Sequence, residues 1–221
     1  MIISTVDILD IEIDFDPSPT EMDTIPILSH CDVDFARTNG GDYVNHVIDV
    51  IRDTNAFNMD KVKLHFLNQR LTKGSYSICP GWHVDWYTHF NQKANPSKHS
   101  VSIFTFGEDI CQTDFYLGEL PSIVLGDGNM DPEEFWFFRN HLVDECISTY
   151  NADVISMPPN TIFRMNPHTM HRPTAATRTG KRILVKIEES DTPASNRILN
   201  TSTVYMPFDS MKFQGEICEY L

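Results

Sequence analysis

The segment PGWHVDWY, residues 80–87, places His83 and Asp85 two positions apart. An imidazole nitrogen and a carboxylate oxygen are common protein ligands for transition metals. On an extended strand, side chains at i and i+2 project from the same face, so both groups would point at one ion. A second triplet of this kind, His30-Cys31-Asp32, precedes the first predicted helix and lacks a strand pattern, so we do not expect His30 to be a ligand.

A third protein ligand would complete a facial triad, which leaves open coordination positions on a non-haem iron. The segment ISMPPNTIFRMNPHTMHRP, residues 155–173, offers two candidates, His168 and His171. Both follow a predicted strand that ends near Asn166. The residues alone leave this choice open.

The next predicted strand, 181–188, follows Gly180 and begins with the basic residues Lys181 and Arg182. Apolar residues alternate there with a second set, so the two sets face opposite sides of a sheet. The apolar set is Ile183, Val185 and Ile187, and the other is Arg182, Leu184 and Lys186. An arginine in the mouth of a barrel would need an anion, and its planar guanidinium suits a carboxylate.

The order of these motifs resembles the Fe(II)- and 2-oxoglutarate-dependent oxygenase superfamily, whose fold is a double-stranded β-helix of eight core strands. The resemblance covers roughly residues 62–188. It implies that His83, Asp85 and His171 bind Fe(II), and that Arg182 pairs with the distal carboxylate of 2-oxoglutarate. It favours His171 over His168 because His-Arg-Pro followed eleven residues later by an arginine fits the family pattern.

The resemblance also implies an activity, the oxidation of a substrate C–H bond with decarboxylation of 2-oxoglutarate to succinate. Because Asp85 is kept, hydroxylation or a related oxidation is favoured over chlorination. The family often adds a second polar contact to 2-oxoglutarate on an early strand. Asn68, Tyr76 and Ser77 are candidates for this contact, and we select Tyr76.

Patterns along the chain predict a mainly β fold, a double-stranded β-helix or jelly roll with flanking α-helices. One domain is expected over 1–221, with its core at about 62–188, an N-terminal extension at 1–61 and a C-terminal extension at 189–221. Helices are predicted after the turn at 39–42 and after Asp131. The eight predicted strands are 62–70, 76–85, 100–106, 111–117, 121–125, 153–157, 161–166 and 181–188.

Composition narrows the partners and the compartment. A net charge of −14 opposes binding to phosphate backbones and anionic lipids. A small-molecule substrate is therefore the first expectation, a protein side chain the second and a nucleic acid the least favoured. Five widely spaced cysteines and the lack of a signal-peptide pattern or a long apolar run predict a cytoplasmic protein without a membrane span.

Two other interpretations of the motifs remain open. The chain could be a non-catalytic jelly-roll module with incidental histidines, because a fold alone does not fix a function. It could also be a cupin-like metalloenzyme that uses the same triad without 2-oxoglutarate.

Overall fold

The computed structural model describes residues 1–11, 13–14, 17–78, 80–85, 98–125, 132–150, 152–166 and 168–201. Within these residues the fold is mainly β, as predicted, and its two sheets are antiparallel throughout. No described helix is both long enough and apolar enough to cross a membrane.

The larger sheet has seven strands. Its centre is formed by the long strands, which are rich in β-branched and aromatic residues. In spatial order the strands are β11 (Arg197–Leu199), β3 (Ile27–Cys31), β4 (Val62–Leu71), β10 (Gly180–Ser190), β5 (Lys98–Gly107), β8 (Ile162–Met165) and β2 (Val6–Leu9).

The smaller sheet has four strands, arranged around β6 (Thr113–Leu120). Its other strands are β1 (Ile2–Ser4), β7 (Asp153–Ser156) and β9 (His171–Pro173). Because β1 pairs with β6 while β2 pairs with β8, the N-terminal residues contribute one strand to each sheet.

The two sheets share an apolar core between their inner faces. Phe115 of β6 stacks on Phe163 of β8 with ring centroids 5.1 Å apart. Val101, Met165 and Leu184 lie buried in the same cluster. Alternation along each strand sends the next residues to the outer faces, which the helices cover.

Three α-helices accompany the sheets: α1 (Pro19–Met22), α2 (Val33–Asp53) and α3 (Pro132–Tyr150). Helix α2 packs in the cluster that contains Ile183, Val185 and Ile187, the apolar set predicted from the alternation along β10. Helix α3 packs in a cluster with Tyr116 and Trp82, on the outer face of the smaller sheet. Both predicted helices are thus present, although Asp131, the predicted N-cap of α3, lies outside the described residues.

The predicted turn at 39–42 and the helix after it are confirmed, but the helical segment that precedes the turn was not predicted. The helix begins at Val33 behind the N-cap Asp32, whose side chain accepts a hydrogen bond from the Phe35 N–H. Gly41, at φ 75° and ψ −172°, interrupts it, so the turn chemistry read at 39–42 marks a kink inside a longer helical stretch.

Two predicted strands are also corrected. The described residues of this range, 76–78 and 80–85, form no continuous strand, because Pro80 lacks a backbone N–H and Gly81 adopts a φ of 97° that breaks the extension. Residues 121–125 contain a 3₁₀-helix, Ser122–Leu125, in which the Val124 N–H donates to the Pro121 carbonyl.

His30, which the sequence placed outside any strand, lies on β3. Its φ of 52° and the register shift between Leu28 and Cys31 interrupt the alternation that would have indicated a strand.

Candidate metal centre

His83 and His171 are backbone partners although 88 positions separate them in the chain. The N–H of each donates to the carbonyl of the other at 2.9 Å. Residues directly opposite in an antiparallel pair carry their side chains on the same face. The two imidazole centroids accordingly lie 4.4 Å apart.

The hydrogen bonds of the two imidazoles determine which nitrogen faces the centre. His83 Nδ1 lies 2.9 Å from the Gly81 carbonyl, and His171 Nδ1 lies 3.1 Å from the Thr169 carbonyl. Since a carbonyl can only accept, each Nδ1 carries the hydrogen and each Nε2 carries the lone pair. This is the tautomer that metal-binding histidines use, with the other ring nitrogen held by the protein.

Asp85 completes the group. Its Oδ1 lies 3.9 Å from His171 Nε2, and ligand atoms from His83, Asp85 and His171 all lie within 4.8 Å of one another. These three residues can hold a metal ion, as the sequence predicted. The donor set of two neutral imidazoles and one carboxylate is that of the facial triad.

Both histidines are 2% exposed, so the centre is withdrawn from bulk water. Burial lowers the pKa of His171, and the Asp85 carboxylate opposes this only in part. The His171 imidazole is thereby kept neutral, which is the form that binds metal.

His83 is held in place through helix α3. The Trp82 N–H donates to Asn140 Oδ1 at 2.6 Å, and the amide of Asn140 donates to the Trp136 carbonyl at 2.9 Å. Gly81 allows this close contact, because a Cβ there would lie 2.5 Å from Trp136 Cζ2 and 2.6 Å from Asn140 Oδ1.

His171 is held through the N-terminal strands. The Met170 N–H donates to Ser4 Oγ at 2.8 Å, and that hydroxyl donates to the Tyr116 carbonyl at 2.7 Å. The Thr169 hydroxyl donates to the Thr5 carbonyl. Strand β1 and the residue after it therefore fix the turn that orients the distal histidine.

His168, the alternative distal ligand, is not in the triad. Its backbone N–H donates to Asn166 Oδ1 at 2.7 Å, within the turn that leads to β9. The group of ligand atoms contains His171 instead.

Arg182 is buried at 1% exposure. Its Nε donates to Gln69 Oε1 at 3.2 Å, and its Nη1 donates to the Cys111 carbonyl at 2.5 Å. Among the described residues, no carboxylate forms an ion pair with this guanidinium. A buried cation without an anionic partner is costly, so the arrangement suits an incoming carboxylate.

The three candidates for a second 2-oxoglutarate contact lie in different surroundings. The Asn68 amide donates to the carbonyls of Met22 and Ile25, which holds the end of α1. The Ser77 carbonyl accepts from the Gln69 amide. Tyr76 lines a cavity of about 470 Å³ beside Arg172, and no triad residue is among the described residues that line it. The role of Tyr76 stays a prediction.

Sequence reasoning missed one residue at the centre, Lys186, and one residue beside Arg182, Gln69. Lys186 Nζ lies 2.9 Å from Asp85 Oδ2, and Gln69 orients Arg182. The alternation along β10 already put Lys186 on the same face as Arg182, which was the available signal. Gln69 carried none, since its position opposite Arg182 depends on the register of β4 against β10.

Comparison with protein-family models, with curated proteins and with solved structures gives no match to this chain. The site is therefore interpreted from its own geometry and chemistry.

Proposed function

We propose that the protein is an Fe(II)- and 2-oxoglutarate-dependent dioxygenase that oxidises a C–H bond of its substrate. The observation that carries the proposal is the convergence of His83, Asp85 and His171, whose ligand atoms all lie within 4.8 Å of one another. Two antiparallel sheets around a common core are the framework that a double-stranded β-helix requires, and we propose that this is the fold.

Metal binding and 2-oxoglutarate binding are assigned to different residues of the site. His83, Asp85 and His171 would hold Fe(II) and leave coordination positions open for other ligands. Arg182 would bind the distal carboxylate of 2-oxoglutarate, with Gln69 fixing the orientation of the guanidinium. The metal and cosubstrate supply the oxidation when bound, while the chain contributes ligand geometry and the exclusion of water.

The apolar inner faces of the sheets support a water-poor centre. Phe115 lies opposite His171 in the pairing of β6 and β9, and the two ring centroids are 5.9 Å apart. Phe163 stacks on Phe115 in turn, with ring centroids 5.1 Å apart. Such a wall protects a reactive centre from side reactions with water.

The net charge of the chain lowers the expectation of a nucleic-acid substrate. A net charge of −14 favours a small molecule or an amino acid over a nucleic acid, with a protein side chain as the next candidate. Oxidation other than hydroxylation is compatible with the same ligands.

The proposal is tested by mixing the metal-free protein with Fe(II) and 2-oxoglutarate under anaerobic conditions. We expect a visible charge-transfer band in the wild type and no band in Asp85→Ala or His171→Ala. His168→Ala is the matched control and should keep the band, because that imidazole lies in the same turn but outside the triad.

Arg182→Met should weaken 2-oxoglutarate binding about 10- to 100-fold, the range for a lost hydrogen bond to a charged group. On admission of oxygen, succinate should form, faster when a panel of small molecules includes the substrate. A protein that binds iron but ignores 2-oxoglutarate, in the wild type and in Arg182→Met alike, would instead be a cupin-like metalloenzyme. A protein that binds neither would be a non-catalytic module.

A further inference from the structure

Lys186 projects from the middle of β10 toward the triad. Its position in the pairing lies between His65 of β4 and Ile103 of β5, so the residue is surrounded by sheet on both sides. Its side chain is 13% exposed, and its Nζ lies 2.9 Å from Asp85 Oδ2. A lysine so buried beside a candidate metal ligand is unusual, because an ammonium repels a metal cation.

The two oxygens of Asp85 have different neighbours. Oδ1 lies 3.9 Å from His171 Nε2, whereas Oδ2 lies 2.9 Å from Lys186 Nζ. A metal bound to the imidazoles can take Oδ1 while Lys186 keeps Oδ2. The lysine thus favours a carboxylate that binds through one oxygen, which preserves open positions on the metal.

The charges at the metal centre also affect which ligands it binds. The carbonyls of Gly81 and Thr169 each face the Nδ1 of one imidazole, and an imidazole that binds a metal through Nε2 is neutral. The charges of Asp85 and Lys186 cancel and Arg182 is a further buried cation, so the positive charge of a divalent ion would be uncompensated in a buried site. Glu188, two residues further along β10, contacts two other side chains. Its Oε1 lies 3.7 Å from His30 Nε2, and its Oε2 lies 4.0 Å from His65 Nε2.

We infer that Lys186 is a positioning residue that makes tight metal binding depend on a dianionic chelating ligand. The inference rests on the proposed function and deepens it, because it predicts which ligands the metal accepts. A chelator with two negative charges offsets more of this positive charge than a chelator with one. The centre therefore favours dicarboxylate or 2-oxo dicarboxylate chelators over monocarboxylates.

The test measures the dissociation constant of Mn(II), a stand-in for Fe(II) that does not react with oxygen in this assay, by equilibrium dialysis. Each protein is titrated alone, with oxalate and with pyruvate, at buffered free Mn(II). Oxalate is the dianionic probe and is too short to require Arg182, whereas pyruvate is the monoanionic comparison. Lys186→Met removes the charge and the hydrogen bond, and Lys186→Gln removes the charge but keeps a donor for Asp85.

In the wild type, oxalate should tighten Mn(II) binding far more than pyruvate does. In Lys186→Gln and Lys186→Met, the tightening by oxalate should fall roughly tenfold or more, and Mn(II) alone should bind more tightly, because a nearby positive charge is gone. Lys181→Met is the matched control, since Lys181 lies on the same strand and pairs with Asp23 at 2.5 Å at the surface. It should behave as the wild type.

An oxalate effect that is equal in the wild type and both Lys186 variants overturns the inference and leaves the metal centre intact. A wild type that binds no Mn(II), with or without oxalate, overturns the proposed metal centre and the inference with it. If Lys186→Met fails to fold, as judged by circular dichroism, the comparison of Lys186→Gln with the wild type decides alone.

Discussion

Gly81 allows the closest approach of helix α3 to the segment that carries His83. An added Cβ would lie 2.5 Å from Trp136 Cζ2 and 2.6 Å from Asn140 Oδ1, in a residue whose φ is 97°. The unfavourable φ costs an L-residue about 1–2 kcal/mol. Overlap with a packed helix adds about 1–3 kcal/mol, so Gly81→Ala should lower the free energy of unfolding by about 2–5 kcal/mol.

The same substitution should also affect the metal, because the Gly81 carbonyl accepts the hydrogen bond from His83 Nδ1. Loss of such a support for a metal ligand weakens metal affinity about 10- to 100-fold. Urea unfolding of the metal-free protein gives the first quantity, and Zn(II) competition with a chromophoric chelator gives the second.

Gly41→Ala is the matched control. Gly41 also has a positive φ, 75°, but a Cβ there meets no atom within 4 Å. Gly41→Ala should lower the free energy of unfolding only by the cost of the unfavourable φ, about 1–3 kcal/mol, and should keep wild-type metal affinity. If Gly81→Ala has the same free energy of unfolding as Gly41→Ala and retains full affinity for Zn(II), Gly81 does not support the contact with α3 and the position of His83.

Two further substitutions test the supports of the fold. Ser4→Ala removes a buried hydroxyl that joins the Met170 N–H to the Tyr116 carbonyl, and should lower the free energy of unfolding in urea by about 1–3 kcal/mol. The control Ser148→Ala, at the exposed end of α3, should change this free energy by less than about 0.5 kcal/mol. Equal effects of the two substitutions would exclude the role given to Ser4. Asp32→Ala removes the N-cap of α2 and should cost about 1 kcal/mol at neutral pH. The hydrogen bond from the Phe35 N–H lowers the pKa of Asp32, so its contribution is complete above the ordinary value of 3.8 and is lost as the pH falls through the lower folded-state pKa. The difference between the wild type and Asp32→Ala should therefore shrink in strong acid, and a difference that is constant with pH would contradict the assignment.

Much of the site could be predicted from short-range patterns. The spacing of His83 and Asp85 and the alternation that sets Arg182 apart from Ile183 are properties of adjacent residues. The prediction that 76–85 is a strand was wrong, but the ligand atoms of His83 and Asp85 still lie close together. The single backbone pair with His171 replaces the strand in orienting His83.

The rest depends on contacts between distant parts of the chain. The position of Lys186 beside Asp85 follows from the register of β10 and from the path of residues 80–85 across the sheets, which no local pattern encodes. In the same way, Gln69 meets Arg182 because β4 and β10 pair at that register. The register shift near His30 escaped prediction because it interrupts the periodicity on which prediction relies.

The most direct measurement is the anomalous scattering of a crystal of the protein grown or soaked with Zn(II). We expect one strong peak within about 2.0–2.2 Å of His83 Nε2, His171 Nε2 and an oxygen of Asp85, the usual ligand distances for this ion. The peak should disappear in His171→Ala and persist in His168→Ala. A crystal in which Zn(II) binds elsewhere and leaves these three side chains without metal would contradict the central claim.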